Sequence, residues 1–494
     1  MSENKIKLFL GLDFGTHQTK ACVRFKKRVN EPMQHHFVPL NSDTADLDCL
    51  FLPSIVSVDH EKRFSYGKNN SNNYYRSYSF FKIASAEDEE FRTEVNPAGK
   101  TKYDKDKFEP YTPEFLAVIY IAKVLLRIRT YVKEELFKED SRKPVSGFLS
   151  RFQKEKVTRD LEWYVQMGVP TEYQDYLNAR RKRKFQQILL MAWDLSHRLD
   201  ESELEQLQDT EIITEVESIF KSLTKEINHD FISEVNQDRW NKALTERNLS
   251  VYPETAAGLV FLVRSGKVTK DRYYLSMDIG GGSTDLSFFK VEANETFTYL
   301  ASKSIMMAAN DVAINMSNPG LTHNDLLMQL NRIFNEAGIE KNDEYRSAFT
   351  KTIKIINKAA YRMFNQQVWF RFEKMVARAH FNETTCYLYG GGSGLPLIDP
   401  NPEGMLVRII LHDNGFRYNL DTTDAFVKPM ENLTLSERIK PSDWVERMRF
   451  LIVPLGLSLS LSDDKTTVFE KDFYTPKEIK KATKVYDVTR ARWV

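Results

Sequence analysis

The segment YLSMDIGGGSTDLSFF, residues 274–289, decides how the rest of the chain is read. Apolar and aromatic residues lead into Asp278, and Gly280, Gly281 and Gly282 follow. Ser283, Thr284 and Asp285 then return the chain to an apolar run. Aromatic and β-branched residues on both sides predict two strands joined by a tight hairpin between Asp278 and Asp285. Consecutive glycines let backbone amides approach and cradle phosphate oxygens, and a carboxylate beside them can hold the waters of a bound cation. Taken alone, the segment is equally a bare hairpin turn.

The same layout stands near the start of the chain. Lys7 to Leu12 predicts a strand that runs into Asp13-Phe14-Gly15-Thr16-His17-Gln18-Thr19-Lys20, and Ala21-Cys22-Val23-Arg24-Phe25 resumes the strand pattern. Two such hairpins argue against bare turns. Each ends its first strand on an aspartate, and Asp13 and Asp278 facing across a cleft could hold a hydrated Mg²⁺ beneath a polyphosphate. Lys20 is either a phosphate contact or a solvated strand-end lysine. His17 has no second ligand at metal spacing, and adjacent His35 and His36 would point to opposite faces of a strand, which argues against a shared metal.

Composition sets the frame. The chain has 494 residues, 41% hydrophobic and 28% charged, with a formal net charge of +1. Single cores stop growing at about 250–300 residues, so more than one domain is expected. The balanced charge supplies no global field for nucleic acid or an acidic membrane. Cys22, Cys49 and Cys386 are far apart and form no paired motif, which fits a reducing compartment. The N-terminal apolar stretch is too short for a signal peptide, and no window approaches the roughly 20 apolar residues of a membrane span. A cytoplasmic protein is expected.

Between the hairpins, Phe51 to Val58 is apolar, and Phe80-Phe81-Lys82-Ile83 precedes an acidic run. Thr112-Pro113-Glu114 predicts a helix start, with threonine as cap and proline at the first helical position. Leu161 to Val169 resembles a buried strand that ends at Pro170, and the following helix carries Arg180-Arg181-Lys182-Arg183-Lys184. That basic cluster lacks interleaved aromatics and is balanced by the acidic stretch 200–217, so nucleic acid is not the expected partner. Residues 196–245 read as amphipathic helices. Val251-Tyr252-Pro253-Glu254-Thr255-Ala256-Ala257 reads as a strand end passing into a helix of small residues, with Glu254 at an exposed turn where it orients a water or simply caps the helix dipole. Beyond the central hairpin, residues 291–300 predict a strand, and helices are expected from about Ser304, over 321–337 and over 343–366.

Thr385-Cys386-Tyr387-Leu388-Tyr389 then runs into Gly390-Gly391-Gly392-Ser393. This third glycine run has no central aspartate, and its exposed backbone suits a flat base and ribose. In order, the three motifs resemble the two phosphate loops and adenosine motif of the actin/Hsp70/sugar-kinase ATPase superfamily. The likeness is nearest to Hsp70-like ATPase domains and bacterial plasmid-segregation actins, and it covers roughly residues 6–460. It implies an α/β, two-domain actin-like ATPase fold of duplicated ribonuclease H-like halves, with ATP or ADP and Mg²⁺ in the cleft. The divisions would be 1–254, 255–461 and a C-terminal extension over 462–494.

The resemblance further implies roles. Asp13 and Asp278 would lie by the metal, and Gly15, Thr16, His17 and Lys20 by the phosphates. Gly280, Gly281, Gly282, Ser283 and Thr284 would form the second phosphate loop, and Gly391, Gly392 and Ser393 would meet the adenosine. Lys82 matches the phosphate-contacting lysine of the Hsp70 group by its position, and Glu254 follows Pro253 in an order nearer the segregation actins. Val453-Pro454-Leu455-Gly456 looks like the closing helix, and too little chain follows it here for a peptide-binding domain. The expected function is a Mg-dependent ATPase whose nucleotide state sets domain closure and the grip on a protein partner, through residues 190–245 or 400–445. Filament formation by self-association, a small-molecule kinase and a nucleotide-binding pseudo-ATPase are the alternatives.

Overall fold

Strands β1 (Lys5–Phe14) and β2 (Gln18–Phe25) pair antiparallel, with Asp13 opposite Lys20. Most side chains on both faces are buried, as in a sheet covered on both sides. The computed structural model describes residues 5–27, 31–41, 47–67, 74–86, 108–137, 160–170, 176–224, 237–264, 271–291, 297–305, 307–316, 323–363, 384–391, 418–421 and 441–460. Strand β3 (Gln34–Phe37) extends the meander, and the short β4 (Leu52–Pro53) pairs with the turn end of β2. A separate antiparallel sheet contains β5 (Ile55–Asp59), β6 (Phe64–Tyr66) and β7 (Tyr74–Ser79), in the order β6-β5-β7.

Helix α1 (Phe81–Ala86) is wholly buried. Helix α2 (Pro113–Tyr131) starts as its residues dictate: Thr112 Oγ1 accepts from the Phe115 amide at 3.1 Å and Pro113 needs no donor there. Strand β8 (Asp160–Val169) lies parallel to β1. Helices α3 (Tyr176–Arg198), α4 (Glu201–Gln206), α5 (Asp209–Thr224) and α6 (Gln237–Glu246) lead to β9 (Leu249–Pro253), parallel to β8. Leu204, Ile212, Val216, Ile219, Trp240 and Leu244 join the core of β1 and α2. The described residues of the charged region near 190–245 therefore pack their apolar side into the first half. Lys184 of the basic cluster is likewise internal, donating to the Ser85 carbonyl at 2.9 Å and standing 3.3 Å from Glu114.

The second half begins with α7 (Glu254–Arg264), then β10 (Arg272–Ile279) and β11 (Thr284–Val291), paired antiparallel with Asp278 opposite Asp285. Strand β12 (Phe297–Ile305) follows, and α8 spans Ala309–Asn315. This corrects two expectations: the strand placed at 291–300 continues to Ile305, and the helix expected from Ser304 starts later. The ladder to β11, which pairs Ser304 with Asp285 and Ile305 with Thr284, outweighs the helical preference of the Ala/Met segment. Helices α9 (His323–Asn335) and α10 (Asp343–Met363), strands β13 (Thr384–Tyr389) and β14 (Tyr418–Asp421), and helix α11 (Pro441–Ser460) complete the described chain.

The two large sheets have the same plan. One runs β3-β2-β1-β8-β9 and the other β12-β11-β10-β13-β14, each a three-stranded meander extended by two parallel strands. The helix that follows each last parallel strand reaches the opposite sheet: α7 packs on β10 and β11, while α11 packs on β1, β2 and β8. Helices α7 and α11 also pack on each other, and a core shared by Phe51, Val260, Phe289 and Leu457 joins the halves. The approach is close. A Cβ at Gly11 would overlap the Pro454 carbonyl, and one at Gly456 would overlap the Ala257 carbonyl. Cys22 lies in this shared core, where burial pushes its thiol up to about 12, so it acts as an apolar filler. Among the described residues no helix is long and apolar enough to cross a membrane.

Candidate functional site

Both hairpin turns are held by specific hydrogen bonds. Ser54 steadies the first, its hydroxyl donating to the Gly15 carbonyl at 2.7 Å and its amide to the His17 carbonyl at 2.7 Å. The second is closed by the Gly280 amide donating to the Ser283 carbonyl at 2.8 Å, and the Asn310 amide donates to Gly281 at 2.8 Å. The turns face each other. The His17 Nε2–H donates to Asn310 Oδ1, and its ring lies edge-on to Phe80 with centroids 5.5 Å apart. A Cβ on Gly281 would overlap that ring, and one on Gly282 would overlap Ile83. Glycine at 281 leaves room for the His17 ring where the two turns meet, and glycine at 282 leaves room for Ile83 of α1.

Beneath the turns lies a buried charge cluster. Asp13, Glu254, Asp278 and Asp285 are between 5% and 8% exposed. Lys82 Nζ donates to Glu254 Oε1 at 2.5 Å, and Lys20 Nζ to Asp13 Oδ2 at 2.6 Å. Asp285 accepts from the hydroxyls of Ser304 and, at 3.2 Å, Ser283. Two ammonium groups thus face four carboxylates, an excess of two negative charges when all are ionised. The excess shows in the titration. Burial, followed by the charges of Glu254, Asp285 and Asp13, raises Asp278 well above the carboxylate range. Burial raises Glu254 to about 7 against the pull of Lys82, with Asp13 and Asp285 adding to the rise. Burial alone would lower Lys82, but the Glu254 and Asp13 carboxylates reverse this and hold it above the usual lysine value.

The third glycine run comes to the same place. Gly390 has φ +84°, and a Cβ there would overlap Asp278 Oδ1 and the Ile279 carbonyl. Gly391 follows it against Phe450. Gly392 and Ser393 lie outside the described residues, as do the extension over 462–494 and most of 400–445.

The structure therefore gathers Asp13, Gly15, Thr16, His17, Lys20, Lys82, Glu254, Asp278, Gly280, Gly281, Gly282, Ser283 and Thr284 around the facing turns. Three details differ from expectation. Glu254 is 7% exposed and ion-paired rather than at an exposed turn, because α1 packs Lys82 against it. Lys20 is paired with Asp13 rather than solvated. The Thr284 hydroxyl is used internally, donating to the Met307 carbonyl at 2.7 Å. Asp285 and Asn310 are additions to the site. Asp285 was visible within the motif, whereas nothing in the sequence around Asn310 links it to His17.

Among the described residues no group of three or more His, Cys, Asp or Glu side chains could hold a metal ion directly. A cation here would be held through its waters. The excess negative charge fits a divalent ion, whose binding would oppose the upward shift of Asp278.

The raised Glu254 makes a stability prediction. Its folded value of about 7 exceeds its ordinary 4.5, so its contribution is full below pH 4.5 and is lost as pH rises through 7. From pH 5 to pH 8 this group should remove about 2–3 kcal/mol. Urea unfolding of Glu254→Gln should show a correspondingly smaller fall over that interval. Equal falls in variant and parent would refute the assignment.

No protein-family model matches the chain, and a search of the curated proteins finds no match.

Proposed function

We propose that the chain binds a nucleoside triphosphate with Mg²⁺ between the two hairpin turns and hydrolyses it, as an actin/Hsp70-like ATPase whose nucleotide state sets closure of the halves and the grip on a protein partner in the cytoplasm. The observation that carries this reading is the duplicated sheet plan, which points two glycine turns at each other over an acid-rich cluster.

Each residue has work in this reading. Asp13 and Asp278, at the ends of β1 and β10, would hold the waters of the cation through their carboxylate oxygens. The amides of the two turns are the donors to phosphate oxygens. Mg²⁺ would supply neutralisation of the charge that develops on the transferred phosphoryl group. Lys82 adds a fixed positive charge beside it and pins Glu254. With its value at about 7, Glu254 can take up or release a proton near neutral pH. His17 stands between the turns, so phosphate entry requires its ring to leave Asn310. The Asn310 side-chain amide, fully buried and with no hydrogen-bond partner for Nδ2, then becomes a donor for the phosphate.

Titration calorimetry with ATP in buffers of different ionisation enthalpy tests the proposal. Saturable binding that needs Mg²⁺ and releases protons at pH 7 is expected, together with inorganic phosphate release on incubation. Absence of saturable binding at about 1 mM ATP, with and without Mg²⁺, would overturn it.

A further inference from the structure

A groove of about 310 Å³ opens beside α2 and α4, and none of its lining side chains belongs to the two-turn site. Its polar groups are layered by depth. Lys123 is 4% exposed at its side chain and stands 2.5 Å from Glu205 Oε1 and 2.7 Å from Glu201 Oε1. Arg127 Nε lies 3.5 Å from the same Glu201 oxygen. Glu205 sits nearest the rim, with its side chain 49% exposed, while Arg127 at 25% and Glu201 at 29% lie at similar depth. Tyr66 contributes a wall and is itself 4% exposed.

The Tyr66 hydroxyl is the anomaly. It is buried and has no hydrogen-bond partner. Burial and then the Glu205 carboxylate push its pKa well up, so the hydroxyl lies within the field of an acid that also lines the groove. A buried hydroxyl left unpaired costs about 1–3 kcal/mol, and native structures keep few of them. The hydroxyl itself has no surface open to the groove, so a ligand that turned the Tyr66 ring to pair it would remove that cost.

We propose that this groove binds a free amino acid, its carboxylate received by Lys123, Arg127 and the Tyr66 hydroxyl and its ammonium by Glu201 and Glu205. The groove's own charges cancel, two cations against two carboxylates. A ligand with only negative charge would meet Glu201 and Glu205, and one with only positive charge would meet Arg127 and Lys123. A zwitterion exchanges with the existing ion pairs and leaves no net buried charge. The interleaved charges, about 3 Å apart, suit the adjacent ammonium and carboxylate of an α-amino acid. The volume is at the lower end of small-molecule sites, and Leu52 with the Tyr66 ring gives an apolar wall for a modest side chain. The inference stands without the nucleotide reading.

The test uses the full chain with glycine, L-alanine, L-leucine and L-glutamate as probes, and acetate and methylammonium as the separated charges. Thermal unfolding should shift upward with at least one amino acid, and calorimetry should give saturable heat for it. Neither half-ligand should match it. Tyr66→Phe keeps the ring, removes the unpaired hydroxyl and should weaken that binding about 5- to 10-fold, while unfolding without ligand stays at the same temperature or rises. Three results would overturn the proposal: no amino acid binds, acetate binds as tightly as the best amino acid, or Tyr66→Phe leaves binding unchanged.

Discussion

Asp278→Asn should slow phosphate release from ATP about 100- to 1,000-fold while changing Mg-nucleotide affinity less than about 10-fold. The same substitution should make the nucleotide-free protein more stable at pH 8, by about 0.5–2 kcal/mol. The two effects have one cause. Asp278 is buried beside Glu254, Asp285 and Asp13, and its ionisation is resisted by all three. Asparagine keeps the shape and cannot ionise, which relieves the resting protein but, in the proposed mechanism, takes away an acceptor for the cation's waters and for the attacking water. Single-turnover phosphate release and urea unfolding at pH 8 check the two halves. Unchanged turnover would defeat the role in hydrolysis. A loss of stability accompanying the loss of turnover would mean that the carboxylate supports the fold.

What was legible in the sequence was local. The two hairpins announce themselves by β-forming residues around glycine turns, and the start of α2 by Thr112-Pro113. The β9–α7 junction was legible because Pro253 ends an apolar run. These signals act over a few residues, so no tertiary information is needed to read them. The helix expected from Ser304 failed because composition there competes with a ladder partner nearly twenty positions away. Glu254 was placed at an exposed turn for a similar reason, since its burial depends on Lys82, 172 residues distant in the chain.

The candidate site divides along the same line. Its aspartates and glycines stand inside recognisable motifs, and the structure brings them together. The link from His17 to Asn310 spans 293 residues, and Asn310 itself opens an unremarkable short helix. Likewise Gly456 could be recognised as part of a closing helix, but its reason for being glycine is the Ala257 carbonyl of α7. That contact belongs to the exchange of helices between the halves. Because α7 and α11 each lie on the opposite sheet, a change in separation of the two turns must be accommodated where these helices cross.

Lys82→Met should destabilise the protein by about 2 kcal/mol at pH 7.5 and by about 1 kcal/mol at pH 5. The ammonium is the positive charge nearest Glu254, and it is also attracted by Asp13 and Asp285. Without it Glu254 must take up a proton to remain buried. Doing so at pH 7.5 costs about 1.4 kcal/mol for each unit between the solution pH and the group's ordinary 4.5. Most of that cost, about 3 of about 4 kcal/mol, is already present in the parent, because Glu254 is raised to about 7 even with Lys82 in place. At pH 5 the carboxyl is protonated in both proteins, and the difference shrinks to lost packing and one hydrogen bond. Adding Glu254→Gln should therefore recover most of the loss at pH 7.5, since the remaining amide carries no charge to compensate. It should not recover ATP turnover, which in the proposed mechanism needs the ammonium beside the phosphates and a titrating carboxyl. Urea unfolding of the parent, both single variants and the double variant at the two pH values gives the coupling directly. If the double variant is as unstable as Lys82→Met alone, Lys82 serves the fold through Asp13 and Asp285 rather than through Glu254.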